Sequence, residues 1–152
     1  MPSLALPTAA AVEQYLHEHI PLSAAMEVSV VAVDESGVRL AAPLAPNINH
    51  RQTVFGGSAS ALAILSAWAL VHVRLTALEI PARIVIQRNE VEFLAPMTTD
   101  FEAFCPTPSE EEWQRFLTLL RRRGKGRLRL TAELQSGGEI VGTFTGEYVA
   151  LG

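Results

Sequence analysis

The sequence predicts an α+β fold in which an antiparallel sheet curls around one long buried helix. Three observations predict it. A stretch from about Ser58 to Leu78 is apolar nearly all the way round, the pattern of a helix enclosed on most sides. Along it Gly56, Ser60, Ala63 and Ala67 follow at spacings of four, three and four, leaving a face flat enough for a sheet backbone to approach closely. The segments before and after it pair off as strands around turn residues. With 152 residues, 49% of them hydrophobic, the chain is sized for a single domain over 1–152 with a core of its own.

Taken in order, Thr8 can cap a first amphipathic helix with Val12, Tyr15 and Leu16 on its apolar stripe, and Pro21 stops it soon after Ile20. Glu27 to Val33 and Val38 to Ala42 read as a hairpin turning through Asp34, Glu35, Ser36 and Gly37. Pro43, Pro46, Asn47 and Asn49 then break regular structure and lead through His50 to the pair Gly56 and Gly57, where the long helix begins. Pro81 ends that helix. Ile84 to Phe93 is a long strand in which Val85, Val91 and Phe93 share one parity, and Asp100 to Cys105 continues after a turn at 96–99. Ser109 and Glu112 make a capping box for a second helix with Trp113, Phe116, Leu117 and Leu120 at helical spacing, Arg121 to Arg123 in the last turn and Gly124 just past it. Arg127 to Gln135 alternates strictly, turns at Ser136, Gly137 and Gly138, and returns as Ile140 to Ala150. No repeat, low-complexity tract or linker divides the domain.

Composition excludes several functions. Twelve basic against sixteen acidic residues give a net charge of -4, without the positive footprint of a nucleic-acid binder. The one cysteine, Cys105, leaves no intrachain disulfide and no Cys-rich zinc site, which fits a reducing cytoplasm. No export signal is visible. The most apolar run, Ala59 to Val73, is interrupted by Ser60, Ser66 and His72 and falls short of the roughly 20 residues a membrane span needs. The four histidines, His17, His19, His50 and His72, lack metal-ligand spacing with nearby acids, and no nucleotide phosphate loop is present, so neither metal nor cofactor is expected.

The loop Asn49, His50, Arg51, Gln52, Thr53, Val54, Phe55, Gly56, Gly57 before a buried helix resembles that of the hotdog-fold thioesterases, and the likeness spans nearly the whole chain. With Glu92, Phe93, Leu94, Ala95, Pro96 and the terminal Phe144 to Val149, it looks most like the thioesterases related to the YiiD C-terminal domain. The resemblance implies a sheet wrapped around a central helix, a homodimer or dimer of dimers, and acyl thioesters of coenzyme A or an acyl carrier protein as substrates. Two positions depart from the related phenylacetyl-CoA-thioesterase-like pattern. Phe55 stands where that branch often has His, and Ile64 stands where its helix places an acid.

Thioester hydrolysis needs donors aimed at a developing oxyanion, a positioned water and a group to take its proton. Gly56 and Gly57 at a helix N-terminus can supply the donors, or merely let the loop turn tightly. Asn49 can hold the carbonyl or orient water, or bond its own turn. His50 carries an imidazole nitrogen that can accept a proton and is a substitute base once Ile64 has displaced the acid, or is simply solvated. Glu90 and Glu92 share a strand parity and, with that strand at a dimer interface, could act on water at the partner's loop. Their alternative is a solvated strand face. Gln52, Phe55, Ser58 and Ser60 are candidate substrate contacts, with helix capping by Ser58 and small-face packing by Ser60 the competing readings. His72 is a weak candidate late in the helix, and Cys105 reads as a buried residue.

Arg121, Arg122, Arg123, Lys125, Arg127 and Arg129 hold half of the basic residues, so Arg127 and Arg129 are candidates for the phosphates of coenzyme A or an acidic carrier face. The expected activity is metal-free general-base hydrolysis of acyl thioesters. Its rivals are a non-catalytic acyl-CoA or acyl-carrier binding module and a hotdog dehydratase or hydratase.

Overall fold

Thr8 opens α1 (Ala9–His19), its hydroxyl accepting from the Ala11 N–H at 3.1 Å, and Val12 and Leu16 are buried against the core. The computed structural model from which this is read describes residues 5–152. Pro21 does more than end α1. It occupies the first turn of a second short helix, α2 (Pro21–Ala25), where its fixed φ suits the helix and its missing N–H costs nothing.

The hairpin follows as β1 (Ser29–Asp34) and β2 (Gly37–Ala42), starting later than expected because Glu27 adopts a left-handed φ of 57°. A side chain at Gly37 would collide with the carbonyl oxygen of Cys105 in the neighbouring strand, so the turn needs glycine there. The central helix α3 (Gly56–Ala77) carries no charged residue before Arg74. It is long and apolar enough to cross a membrane by length and composition, but most of that apolar stretch is buried inside the protein.

The remaining elements are β3 (Arg83–Phe93), β4 (Phe101–Pro106), α4 (Glu110–Arg123), β5 (Lys125–Ser136) and β6 (Glu139–Leu151). The six strands form one antiparallel sheet in the order β1-β2-β4-β5-β6-β3, and α3 packs against β2, β3, β4, β5 and β6. Ala59, Leu62, Ala63 and Ala67 are fully buried in that contact, whereas Gly56 and Ser60 stay partly exposed, so the small-residue face packs closely only from its second turn on. The buried Tyr148 hydroxyl donates to the Ile64 carbonyl oxygen at 2.7 Å, fastening β6 to the middle of the helix.

The α4 caps form in large part as the sequence predicts: Ser109 accepts from the Glu112 N–H at 3.2 Å, one half of the expected capping box, and Gly124 closes the helix with φ 67°. Because β4 pairs only with Glu133 to Ser136, α4 packs along the rest of β5, where Phe116 lies so close to Gly126 that a Cβ would stand 2.9 Å from its carbonyl oxygen.

One strand departs from its simple alternation. A bulge between Ile86 and Arg88 inserts Gln87, so Val85 emerges on the face away from α3, 47% exposed, while Ile84, Ile86 and Val91 pack on the core. The shared parity expected of Val85, Val91 and Phe93 is thus broken, because one extra residue reverses which side chains point inward.

The two sheet edges are treated differently. On the β1 edge, Glu13 of α1 accepts from the Val30 N–H at 2.8 Å and the His17 Nε2 meets the Val28 carbonyl oxygen at 2.7 Å, so two side chains stand where another strand would bond. On the β3 edge the one such substitute among the described residues is the Trp68 indole, which donates to the Ile84 carbonyl oxygen at 3.1 Å.

Candidate active site

The loop that leads into α3 is held from both sides. Asn47 is buried, its Nδ2 donating to the Met26 and Pro43 carbonyl oxygens at 2.9 Å each, and its own carbonyl accepts the Phe55 N–H at 2.8 Å. Val54 is tied to Met97 at 2.9 Å. Between these anchors Ile48 and Val54 form an isolated antiparallel bridge, and the chain turns over 49–53 with Gln52 at φ 64°.

Asn49 makes that turn. Its Oδ1 accepts from the Arg51 and Thr53 N–H groups at 2.8 and 3.1 Å, and its Nδ2 donates to the Thr53 hydroxyl at 2.8 Å. The side chain is therefore spent on the loop, as the turn-residue reading anticipated, and it acts on the site through the backbone it holds. His50 and Gln52 sit exposed at the tip of that turn, between the two sides of the Ile48–Val54 bridge.

At the start of α3 the N-cap is Phe55, with no side-chain cap, and its carbonyl accepts from Ser58 at 2.9 Å and Ala59 at 3.1 Å. Ser58 is therefore a first-turn residue, not the cap. The N–H groups of Gly56 and Gly57 have no hydrogen-bond partner among the described residues. No acidic residue occupies the first turn, so the positive end of the helix is uncompensated and adds to their field.

Two phenyl rings bracket these amides. A Cβ at Gly57 would overlap the ring of Phe55, and one at Gly56 would lie 3.6 Å from Cζ of Phe93. Phe55 is 56% and Phe93 49% exposed, and Leu94 and Ile48 are also exposed large apolar residues nearby in the chain. Phe93 escaped the sequence reading as a site residue, since only the bulge and the packing of α3 against β3 bring it to Gly56. Asn47 escaped too, because nothing in a Pro-Asn pair distinguishes a buried anchor from an exposed turn.

The other candidates lie elsewhere. Glu90 and Glu92 pair across β6 with Thr145 and Thr143 on the face opposite α3, as Val91 and Phe93 point inward. Both are exposed on that outer face of the protomer, where the solvated-face reading fits their placement. Arg127 and Arg129 are on the outer face as well, at the exposed positions of β5 whose buried alternates include Leu128 and Leu130. Within one protomer they and Gly57 are separated by the sheet. Ser60 is partly exposed one turn into α3.

His72 stacks between Tyr15 and Trp68, at ring separations of 4.4 and 4.9 Å, and Tyr15 stacks on His19 at 4.1 Å. Burial holds the His72 imidazole below its ordinary range, with the His19 charge a second cause in the same direction. Burial also pushes the Cys105 thiol up to about 12, so it is an inert core residue.

A family model described as "Putative thioesterase (yiiD_Cterm)" matches residues 9–152. No protein with curated function matches the chain. Among solved structures, the chain is similar to a protein of unknown function from Chlorobaculum tepidum, at 29% identity and TM-score 0.90, covering 94% of this chain and 93% of that one. It is similar to the putative thioesterase from Shewanella oneidensis at 27% identity and TM-score 0.82, covering 95% and 97%. A thioesterase from Haemophilus influenzae, 12% identical, shares the fold at TM-score 0.76 over 99% and 95% of the two chains. With the family match running over nearly the whole described chain and the sheet-wrapped helix common to these structures, the protein belongs to the YiiD C-terminal thioesterase family and has the hotdog fold.

Proposed function

We propose that the protein hydrolyses acyl thioesters carried on coenzyme A or an acyl carrier protein. The observation that carries this reading is the pair of unpartnered main-chain amides, Gly56 and Gly57, at a helix start free of acidic residues and flanked by the exposed rings of Phe55 and Phe93. Rigid donors at the positive end of a helix, with apolar groups displacing water around them, stabilise the oxygen that turns negative as the thioester carbonyl is attacked. The acyl group leaves the amides along the half-buried stripe of Ala61 and Ile64. Asn49 serves as a positioning residue that holds the loop, and His50 takes the proton from water.

The working unit is a homodimer or a dimer of dimers. The β1 edge is sealed by Glu13 and His17, whereas β3 offers eleven residues of edge almost unmasked, and open strand edges pair. Joining β3 to a second β3 continues one sheet across both subunits.

One observation favours a second reading, an acyl-thioester binding protein without turnover: no carboxylate lies anywhere on α3. Purified protein given acyl-CoAs of graded length, with release of free thiol as the readout, separates the two. Turnover lost on His50→Ala supports the hydrolase with its base. Tight binding with no thiol released refutes hydrolysis in favour of the binding protein.

A further inference from the structure

From Ala59 to His72 the residues of α3 that the protomer leaves half-buried are Ser60, Ala61, Ile64, Trp68 and His72, and every other one is buried. Spaced by three and four, they form one strip along the helix. The strip starts beside the free amides of Gly56 and Gly57, holds no charged side chain, and keeps to small or aliphatic groups through Ile64 before it meets an indole. β3 runs past it in the opposite direction. The Phe93 ring lies against Gly56 at the start, the Ile84 carbonyl oxygen meets Trp68 at the far end, and Val91, Ile86 and Ile84 pack inward between them.

Trp68 is fixed at its edge and on its face. Its Nε1 donates to the Ile84 carbonyl oxygen at 3.1 Å, and its ring stacks on His72 with centroids 4.9 Å apart. His72 stacks in turn on Tyr15 at 4.4 Å, and Tyr15 on His19 at 4.1 Å, so a column of rings from α1 backs the indole. A ring held in this way does not swing aside between rotamers as a free one does. We infer that Trp68 is the end wall of the acyl site and sets the longest chain the protein takes. The inference rests on the acyl-thioester reading of the glycine amides and adds to it a substrate class, short to medium linear acyl groups. Eleven residues of helix separate Gly57 from Trp68, a rise of about 16 Å. Contact between a terminal methyl and the ring takes about 4 Å of that. An extended chain advances about 1.25 Å per carbon, so the strip holds roughly ten carbons. A trough closed at one end suits a chain, whereas a second helix laid along the strip would have to clear the indole.

Acyl-CoAs of graded length, from acetyl to hexadecanoyl and kept below their micelle concentrations, test the wall on the whole protein through two readouts. Thiol release should peak near about ten carbons and fall about tenfold or more four carbons later. In Trp113→Phe protein Trp68 is the single tryptophan, and its emission should change with decanoyl-CoA and stay constant with acetyl-CoA and butyryl-CoA, whether or not thiol is released. Trp68→Ala opens the strip as far as His72, one turn or about 6 Å on, and should raise the ceiling by about four carbons. Where melting shows that this variant has lost its fold, Ile64→Phe tests the same strip from the other side, bringing a ring one turn nearer and lowering the ceiling to about five carbons. A ceiling unmoved in the folded variants, or Trp68 emission that answers acetyl-CoA as strongly as decanoyl-CoA, overturns the wall and leaves the thioester reading standing. Length-dependent emission without thiol release supports the wall in a protein that binds acyl thioesters without turning them over. Absence of both binding and thiol release overturns the wall together with the thioester reading. Emission that follows protein concentration and ignores the acyl chain shows the strip filled by a second copy of the protein, and overturns the wall.

Discussion

Replacing Gly57 by alanine separates the chemistry of the helix start from its stability. The added methyl would overlap the Phe55 ring, so the ring must swing away. Because that ring is already 56% exposed, moving it forfeits little burial; a strained rotamer costs on the order of 0.5–1.5 kcal/mol. Alanine returns up to ~1 kcal/mol as a better helix former than glycine. The net change is about 1 kcal/mol or less, a shift of roughly 2–4 °C in Tm for a chain of this size. Activity should respond far more strongly, since the methyl stands beside the amide where a carbonyl must approach, and losing one such donor costs about 2.7–4 kcal/mol, or 10²–10³ in kcat. Gly57→Ala with Phe55→Ala removes the overlap but leaves the methyl, so stability should recover while turnover stays low. Gly56→Ala meets only Cζ of Phe93 at 3.6 Å, an ordinary contact, and should melt no lower than the parent. Thiol release and thermal melts on the same preparations make the comparison. Wild-type turnover by folded Gly57→Ala protein would refute the role given to that amide.

Other consequences follow from the packing. Removing the edge substitutes with Glu13→Ala and His17→Ala should cost about 1–1.5 kcal/mol per hydrogen bond and raise the light scattering of concentrated protein as β1 becomes available for pairing; unchanged scattering would count against the guarding role of α1. Tyr148→Phe deletes a buried hydroxyl donating to Ile64 and should lower stability by about 1–1.5 kcal/mol in urea unfolding, with an unchanged midpoint contradicting that bond. Stability should also depend on His72: its folded pKa is depressed, so the unfolded chain binds more protons below about pH 6.5. The stabilisation is whole above that pH and is lost as pH falls through the folded value. Melts from about pH 7.5 to about pH 5 should therefore slope downward, and less steeply in His72→Gln; identical slopes would show that another group governs the trend.

Local chemistry alone determined much of this protein. Thr8 and Ser109 cap, Gly124 closes α4 and the apolar helix is enclosed, because capping and periodicity depend on residues within a turn or two of one another. The glycine pair was legible for the same reason, as was its place at a helix start. Tertiary structure decided what crosses between distant segments. The strand order, with β3 beside β6 and β4 inserted between β2 and β5, arises from long-range pairing that no local pattern encodes. The bulge at Gln87 then set Val85 on the same outer face as Glu90 and Glu92, on the far side of the sheet from Gly57, since one inserted residue reverses the facing of a strand. Asn49 shows the division most closely. Its residue type predicted both a turn and a site, and only the hydrogen bonds closed over 49–54 decided that its amide holds the loop while the amides of Gly56 and Gly57 stay free.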